Sequence, residues 1–159
     1  MLGLDGAGKT SLLRSLRGEP FEGTSTTIGY NVENVRINGS HFTIWDAGGS
    51  ECIRPIWRYY FHDGIDAVIF VVDSSDGERL REARAELDEV LAAEGLAHAP
   101  ILILASQQDR KGALEVGQIS RGLGIRHIHP DRKIRLVLTS AETMAGFNGG
   151  FQWIEKNLS

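Results

Sequence analysis

The hydrophobic and polar positions of this chain follow two patterns that alternate along its length. Continuous apolar runs at 67–72 and 101–105 predict strands covered on both faces of a sheet, and residues 134–138 predict another strand. Apolar residues at helical spacing predict helices at 11–17, 80–91, 116–123 and 147–158, the second behind a capping box at Ser75 and Glu78. The alternation predicts an α/β fold with a mostly parallel sheet and helices on both faces.

An early hairpin adds one antiparallel strand to this sheet. Asn38-Gly39 separates two strand-like runs, at 30–37 and 40–46, and predicts a type I′ turn. The apolar phase slips between Tyr30 and Val35, which indicates either a bulge or burial on both faces. With the apolar lead-in at the first residues, the expected sheet has six strands.

An aromatic-rich segment at 53–61 follows the hairpin and contains Trp57, Tyr59, Tyr60 and Phe61. Three consecutive aromatic residues cannot all face one side of a helix. The segment therefore either exposes part of its surface to a partner or packs under neighbouring loops.

Length and composition indicate one domain and exclude several classes of function. The 159 residues are enough for one well-buried core and too few for two ordinary domains. A net charge of −4 argues against general nucleic-acid affinity, and the sequence holds no apolar run long enough for a transmembrane segment. The single cysteine, Cys52, excludes an internal disulfide.

The first ten residues fit the phosphate-binding loop G-x-x-x-x-G-K-[ST], which runs here from Gly3 to Thr10. Glycines let consecutive backbone N–H groups curve around phosphates at the positive N-terminus of the helix that follows. In such a loop Lys9 reaches the outer phosphates and the Thr10 hydroxyl ligates Mg²⁺.

Three more polar segments follow predicted strands, where a parallel sheet binds its ligands: 46–49, 106–109 and 140–142. Placed after a phosphate-binding loop, the Asp46 carboxylate can act on Mg²⁺ through water, and a following glycine N–H can approach a γ-phosphate. Asp109 can accept hydrogen bonds from a guanine edge, or it can cap a helix.

A second metal reading concerns His127-x-His129-x-Asp131, which would share one face of an extended segment. Pro130 and the flanking charges favour a solvated loop instead.

Four segments together resemble the ADP-ribosylation-factor-like small GTPases, and the resemblance covers nearly the whole chain in the right order. They are Gly3 to Thr10, Thr27-Ile-Gly-Tyr-Asn-Val-Glu33, Trp45-Asp-Ala-Gly-Gly49 with Ile53-Arg-Pro-Ile-Trp-Arg58, and Gly150-Phe-Gln-Trp153. The resemblance implies a single P-loop NTPase domain of the Ras-like type over residues 1–159, binding GTP or GDP with Mg²⁺.

The same resemblance assigns roles to individual positions. Thr27 would be the switch I threonine that completes Mg²⁺ coordination with Thr10, while Asp46 and Gly49 would belong to switch II. The hairpin would be the interswitch element, which slides between registers in this family. The nucleotide would be bound by Gly3, Asp5, Gly6, Ala7, Gly8, Lys9, Thr10, Ser11, Thr27, Asp46, Gly49, Ser106, Gln107, Asp109 and the backbone of Ala141.

The first departure from the family is Ser50, which stands where the family has its catalytic glutamine. That glutamine orients the attacking water, and serine is too short for this role. Of the catalytic set Lys9, Thr27, Gly49 and Ser50, the last is therefore degenerate, and we expect very slow unassisted hydrolysis. The sequence shows no arginine evidently placed to act in cis.

A second departure lies in the base-specificity motif, where the family's Asn-Lys-x-Asp is Ser106-Gln107-Gln108-Asp109. We expect serine to lose the amide that ties this loop to the phosphate-binding loop, and glutamine to replace the lysine stem along the base. Guanine selectivity should survive through Asp109 with an affinity roughly tenfold to hundredfold weaker.

The third departure is at the beginning, because family members carry an amphipathic, often lipidated helix before the first strand. Either the sequence is truncated here, which we favour because a first strand of four residues is short, or the protein has no membrane anchor of its own. Membrane association is expected only if such a helix exists in the full-length protein.

The leading interpretation is a guanine-nucleotide switch of intracellular trafficking, monomeric and cytoplasmic or peripheral at an intracellular membrane. It would engage effectors through the switch and interswitch region, together with an exchange factor and a GTPase-activating protein. The alternative is a degenerate nucleotide-binding interaction module without GTPase activity. A P-loop kinase fits the first motif but leaves Trp45 to Gly49 unexplained.

Overall fold

The structure is a computed structural model, and it describes residues 1–20, 27–62 and 64–158. Within these residues the strands are β1 Leu2–Gly3, β2 Tyr30–Ile37, β3 Ser40–Ala47, β4 Val68–Asp73, β5 Ile101–Ser106 and β6 Ile134–Leu138. The α-helices are α1 Lys9–Leu16, α2 Leu80–Ala92, α3 Val116–Gly122 and α4 Phe147–Asn157. The aromatic segment forms a 3₁₀ helix, Arg54–Tyr60.

Four strands form a parallel sheet in the order β1-β4-β5-β6, and β2 and β3 form a separate antiparallel pair. The six expected strands are thus present among the described residues, but they are hydrogen-bonded as four plus two. The pair lies beside β1, to which it is joined by the Ala47 N–H that donates to the Met1 carbonyl at 3.1 Å. The central strands β4 and β5 are buried almost throughout, as their continuous apolar runs require.

The core has two layers, one on each face of the sheet. Helices α2 and α3 cover one face through Leu87, Val90 and Ile119, and helices α1 and α4 cover the other through Leu12, Phe147 and Phe151. All six side chains are at most 1% exposed, so the helices shield both faces of the sheet from solvent at these positions. Because these four strands run parallel, their carboxyl ends share one edge of the sheet, where the polar loops meet.

The hairpin is regular from Tyr30 paired with Ala47 to Ile37 paired with Ser40, so burial on two faces, rather than a bulge, explains its apolar phase. Val35 and Ile37 pack inward, whereas Tyr30 and Val32 on the other face are nearly half exposed. The turn residues Asn38 and Gly39 both have positive φ (53° and 92°), which confirms the type I′ turn.

The predicted capping box before α2 is wrong. A 3₁₀ turn, Gly77–Arg79, precedes the helix, and the Ser75 N–H and hydroxyl bond the Asp73 carboxylate at 2.8 and 2.6 Å instead. A capping box does occur at α3, where Glu115 and Gln118 satisfy each other's backbone N–H groups. Asp73, at the end of a strand, competes for the Ser75 donors because it is held in place by the sheet.

Candidate functional site

The phosphate-binding loop lies between the end of β1 and the start of α1. Gly8, with φ 92°, precedes the first residue of α1, so the loop ends at a helix N-terminus. Lys9 is 6% exposed, and its ammonium donates to the Gly3 and Leu4 carbonyls at 2.9 and 3.0 Å. Burial lowers the pKa of Lys9 to about 8, against the opposing attraction of Asp46. Ser11 follows in the first turn of α1 and is half-buried.

Two hydroxyls and a carboxylate from three separate segments meet beside this loop. Thr10 Oγ1 lies 3.0 Å from Thr27 Oγ1 and donates to Asp46 Oδ2 at 2.9 Å. Asp46 is fully buried, and its second oxygen, Oδ1, is buried with no hydrogen-bond partner among the described residues. Burial raises the pKa of Asp46, although the Thr10 hydrogen bond opposes it.

This donor set fits Mg²⁺. Its ligating atoms are all oxygens, which hard divalent cations prefer, and an orphaned buried carboxylate oxygen is satisfied by a cation or its water. The structure therefore brings together the three predicted metal residues, Thr10, Thr27 and Asp46.

Gly48 and Gly49 bring the segment after β3 into contact with the first segment and with the loop before β2. The Gly48 N–H donates to the Gly29 carbonyl at 2.7 Å, and the Asp5 N–H donates to the Gly49 carbonyl at 3.0 Å. A Cβ at Gly49 would lie 2.2 Å from the Gly3 carbonyl oxygen, and one at Gly48 would lie 2.5 Å from the Thr27 carbonyl oxygen. Both positions therefore require glycine.

Ser50 starts the turn into the 3₁₀ helix Arg54–Tyr60. Its carbonyl accepts from the N–H groups of Ile53 and Arg54, and its hydroxyl lies 3.4 Å from the Cys52 sulfur. The serine side chain is thus engaged within its own turn.

The far end of the site is built from the segments after β5 and β6. The Ser140 hydroxyl donates a short hydrogen bond to Asp109 Oδ1, and this bond holds the pKa of Asp109 below its usual value. Asp109 is exposed and is not the cap of α3, because Glu115 fills that position. The Ala141 carbonyl accepts from the Ser15 hydroxyl of α1 at 3.0 Å, which ties this segment to the helix of the phosphate-binding loop.

The structure corrects the expectation that Ser106 loses the tie to the phosphate-binding loop. The Ser106 hydroxyl is 1% exposed and donates to the Ala7 carbonyl at 2.6 Å. The next residue adds a second tie, since the Gln107 amide nitrogen donates to the Gly6 carbonyl at 2.9 Å. A serine hydroxyl suffices because the end of β5 lies directly beside the loop, a separation that the sequence pattern does not indicate.

Two arginines that the sequence analysis missed, Arg54 and Arg79, contact Asp5 of the phosphate-binding loop. Arg79 donates to the Asp5 carbonyl and carboxylate at 3.0 and 2.8 Å, and Arg54 donates to the Gly49 carbonyl at 2.7 Å. Glu82 of α2 joins them, accepting from Arg54 at 2.6 Å and from Arg79 at 2.8 Å. The Arg79 hydrogen bond is the main reason why the pKa of Asp5 is lowered and that of Glu82 falls to about 2. The i,i+3 spacing of Arg79 and Glu82 signals only their contact with each other, and no local pattern signals that either arginine reaches Asp5.

Comparison with known proteins identifies the family of this chain. The family model described as the ADP-ribosylation factor family matches residues 1–158. The chain belongs to the ADP-ribosylation factor family. It is 41% identical to ADP-ribosylation factor J of Dictyostelium discoideum over all of its own length and 84% of that protein. It is 39% identical to ADP-ribosylation factor-like protein 3 of Chlamydomonas reinhardtii, over 99% of this chain and 88% of the other.

A solved structure shows that the likeness extends to the Ras-like small-GTPase fold. The Arl6 BBS3 small GTPase from Trypanosoma brucei, with bound nucleotide analogue GppNp, matches with a TM-score of 0.87 and 31% identity. The match covers 98% of this chain and 93% of that one. The predicted P-loop, hairpin and strand-end motifs are therefore those of an ADP-ribosylation-factor-like protein.

In this family member the aromatic segment divides between core and surface. Trp57 is 3% exposed and its indole N–H donates to the Gly48 carbonyl at 2.8 Å, so it supports the segment after β3 from below. Tyr60 packs edge-on against Tyr30, which stacks on Trp45 with 5.2 Å between ring centroids, while Tyr59 is 77% exposed. The segment is thus packed at Trp57 and exposed at Tyr59, and contact of the exposed part with a partner stays a prediction.

The structure also bears on the possible metal site at 127–131 and on membrane-spanning helices. His127 lies in a 3₁₀ turn rather than an extended segment, and no metal-binding cluster of three His, Cys, Asp or Glu occurs in the described ranges. Among these residues, no helix has the length and apolar character needed to cross a bilayer.

Proposed function

We propose that this chain is a molecular switch that binds GTP and GDP with Mg²⁺ and hydrolyses GTP very slowly without help. The observation that carries the proposal is the meeting of Thr10, Thr27 and Asp46 beside a phosphate-binding loop. Thr27 comes from the segment before β2 and Asp46 from β3, so a ligand held by all three would couple both segments to the phosphates.

The chain's own residues supply binding and positioning. Thr10 and Thr27 would hold Mg²⁺ directly and Asp46 through water, and the cation, when bound, would neutralise phosphate charge. Lys9 would exchange its two carbonyl partners for the outer phosphates, which keep its ammonium protonated. Gly49, fixed against the first loop through its carbonyl, would offer its N–H to the γ-phosphate.

At the other end, Asp109 would read the base and the Ala141 N–H would bond the guanine oxygen. The Ser140 hydroxyl occupies one lone pair of Asp109 Oδ1, so both carboxylate oxygens can still accept from the base, and it favours the charged form by lowering the pKa of Asp109. This end supports selectivity for guanine over adenine, because adenine presents no pair of donors at the same edge.

Slow hydrolysis follows from Ser50. Its hydroxyl lies against Cys52, and its side chain is two bonds shorter than that of glutamine, so water at the γ-phosphate has no amide to orient it. Ser50→Gln should raise the single-turnover rate of GTP hydrolysis about tenfold or more, within the range of general positioning effects. Ser40→Gln, at the far end of the hairpin, is the control and should leave the rate unchanged.

The second candidate is a nucleotide-binding interaction module that does not hydrolyse GTP at all. The Ser50–Cys52 contact favours it, because the turn is closed without a catalytic side chain. If Ser50→Gln gives no gain while GTP stays bound, the module is the correct description. Effectors at the Tyr30–Trp45–Tyr60 surface, a monomeric state and a cytoplasmic or membrane-peripheral location are further proposals supported by family membership.

A further inference from the structure

The segment after β5 contacts the phosphate-binding loop through two neutral side chains. The Gln107 amide carries two hydrogens, and both are used: one bonds the Gly6 carbonyl and the other Asp73 Oδ2, each at 2.9 Å. Ser106 bonds the next carbonyl of the loop, that of Ala7, and lies 3.0 Å from the Val72 carbonyl. Since both amide partners are acceptors, the orientation of the Gln107 amide is fixed.

Asp73 is held firmly enough to act as the anchor of this connection. It ends β4, and its Oδ1 accepts from both the N–H and the hydroxyl of Ser75. Its other oxygen is thereby directed at Gln107. A continuous hydrogen-bonded path therefore runs from the α2 connection through Asp73 and Gln107 to Gly6.

The contacts of Ser106 and Gln107 with the loop's carbonyls also constrain where its N–H groups point. In a trans peptide the C=O and N–H of one unit point in opposite directions. Fixing the Ala7 carbonyl toward Ser106 therefore turns the Gly8 N–H away from the segment after β5. Gly8 itself has φ 92°, a left-handed backbone conformation that favours glycine at this bend of the loop.

We propose that Gln107 and Asp73 are positioning residues that, together with Ser106, hold the phosphate-binding loop in its ligand-binding shape through the neutral donors of Gln107 and Ser106. This inference rests on the proposed nucleotide function. It assigns Asp73 a part in nucleotide retention, although Asp73 acts only through Gln107.

The test is the dissociation rate of a fluorescent GDP analogue in the presence of Mg²⁺. Gln107→Leu removes both bonds and should speed dissociation about tenfold, the worth of one to two hydrogen bonds. Gln108→Leu is the matched control, because Gln108 donates away from the loop to the Leu114 carbonyl and should change nothing. Equal rates for these two variants would overturn the proposal.

Charge at position 107 separates positioning from a general effect on folding. Gln107→Glu has nearly the same shape, but its carboxylate oxygen would lie against two other acceptors, the Gly6 carbonyl and Asp73. This variant should therefore release GDP faster than Gln107→Leu. Gln107→Lys restores a donor and should recover the parent rate or slow release further. If Glu and Lys at this position act alike, the proposal is wrong.

Asp73 is tested by a double-mutant cycle. In Asp73→Asn the two Ser75 donors fix the amide oxygen, so the Asn nitrogen faces Gln107 and the bond between them is lost. Release should be several-fold faster in the parent background and unchanged in the Gln107→Leu background. Additive effects would contradict the path through Gln107.

Ser106→Ala should also speed release several-fold. Ser74→Ala is its control, because that buried hydroxyl has no partner among the described residues. If the parent chain binds no GDP, both this inference and the proposed function are wrong. If the parent binds GDP and the variants release it at the parent rate, this inference alone is wrong.

Discussion

Replacing Arg54 by alanine tests how the segment after β3 is held on the phosphate-binding loop. Arg54 is 7% exposed and donates to the buried Gly49 carbonyl. Removing this charged donor leaves the carbonyl without it and costs about 1.5–3 kcal/mol of stability. It also pairs with Asp5, Glu82 and Glu86, but these carboxylates are 25–40% exposed, and each such pair contributes at most about 1 kcal/mol. With solvent screening, we expect Arg54→Ala to lower the free energy of unfolding by about 3 kcal/mol.

The assay is urea unfolding of the nucleotide-free protein, followed by titration with GDP and a non-hydrolysable GTP analogue. Because Arg54 fixes Gly49, the variant should lose more affinity for the GTP analogue than for GDP. Arg84→Ala is the control: Arg84 is 45% exposed and pairs with Asp88 at 3.8 Å, so it should change stability by under about 1 kcal/mol. Equal stability losses for the two variants, or equal losses of GTP and GDP affinity in Arg54→Ala, would refute this reasoning.

Three further predictions follow from the same region. Gly49→Ala places a Cβ 2.2 Å from the Gly3 carbonyl and should abolish high-affinity GTP binding by calorimetry while GDP binding persists; unchanged GTP affinity would contradict the close approach. Glu82→Gln should destabilise the protein at neutral pH. The Glu82 pKa is lowered to about 2 from 4.5, so its contribution is full above pH 4.5 and lost as pH falls toward 2, where thermal unfolding curves of variant and parent should converge. A constant difference across that range would count against the Arg79–Glu82 contact. Trp57→Phe keeps most of the packing but leaves the Gly48 carbonyl unpaired and should lower stability by about 1–3 kcal/mol, measured by urea unfolding; no loss would remove Trp57 from the support of this segment.

The elements were predictable where one physical signal decided them. Continuous apolar runs located β4 and β5, and Asn38-Gly39 located the hairpin turn, because burial on two faces and two positive φ angles each demand particular residues. The start of α2 was not predictable. Ser75 bonds the Asp73 carboxylate instead of capping the helix, and only the folded sheet places that carboxylate beside Ser75.

The candidate site divides in the same way. Thr10, Thr27 and Asp46 were predicted from motif spacing and resemblance, and they do meet. Arg54 and Arg79 were missed because they reach Asp5 from segments 49 and 74 residues away, and single arginines carry no local pattern. The role of Ser106 was misjudged because its short side chain suffices only where β5 ends directly beside the loop, which spacing in the sequence does not reveal.

The central claim is that the site at the strand ends holds a guanine nucleotide with Mg²⁺. The most direct measurement is calorimetric titration of the parent chain with a GTP analogue, GDP and an ATP analogue, with and without Mg²⁺. We expect both guanine nucleotides to bind, Mg²⁺ to increase their affinity, and the ATP analogue to bind at least about a hundredfold more weakly because Asp109 is left unpaired. Equal binding of the ATP analogue, or no binding of any nucleotide, would contradict it.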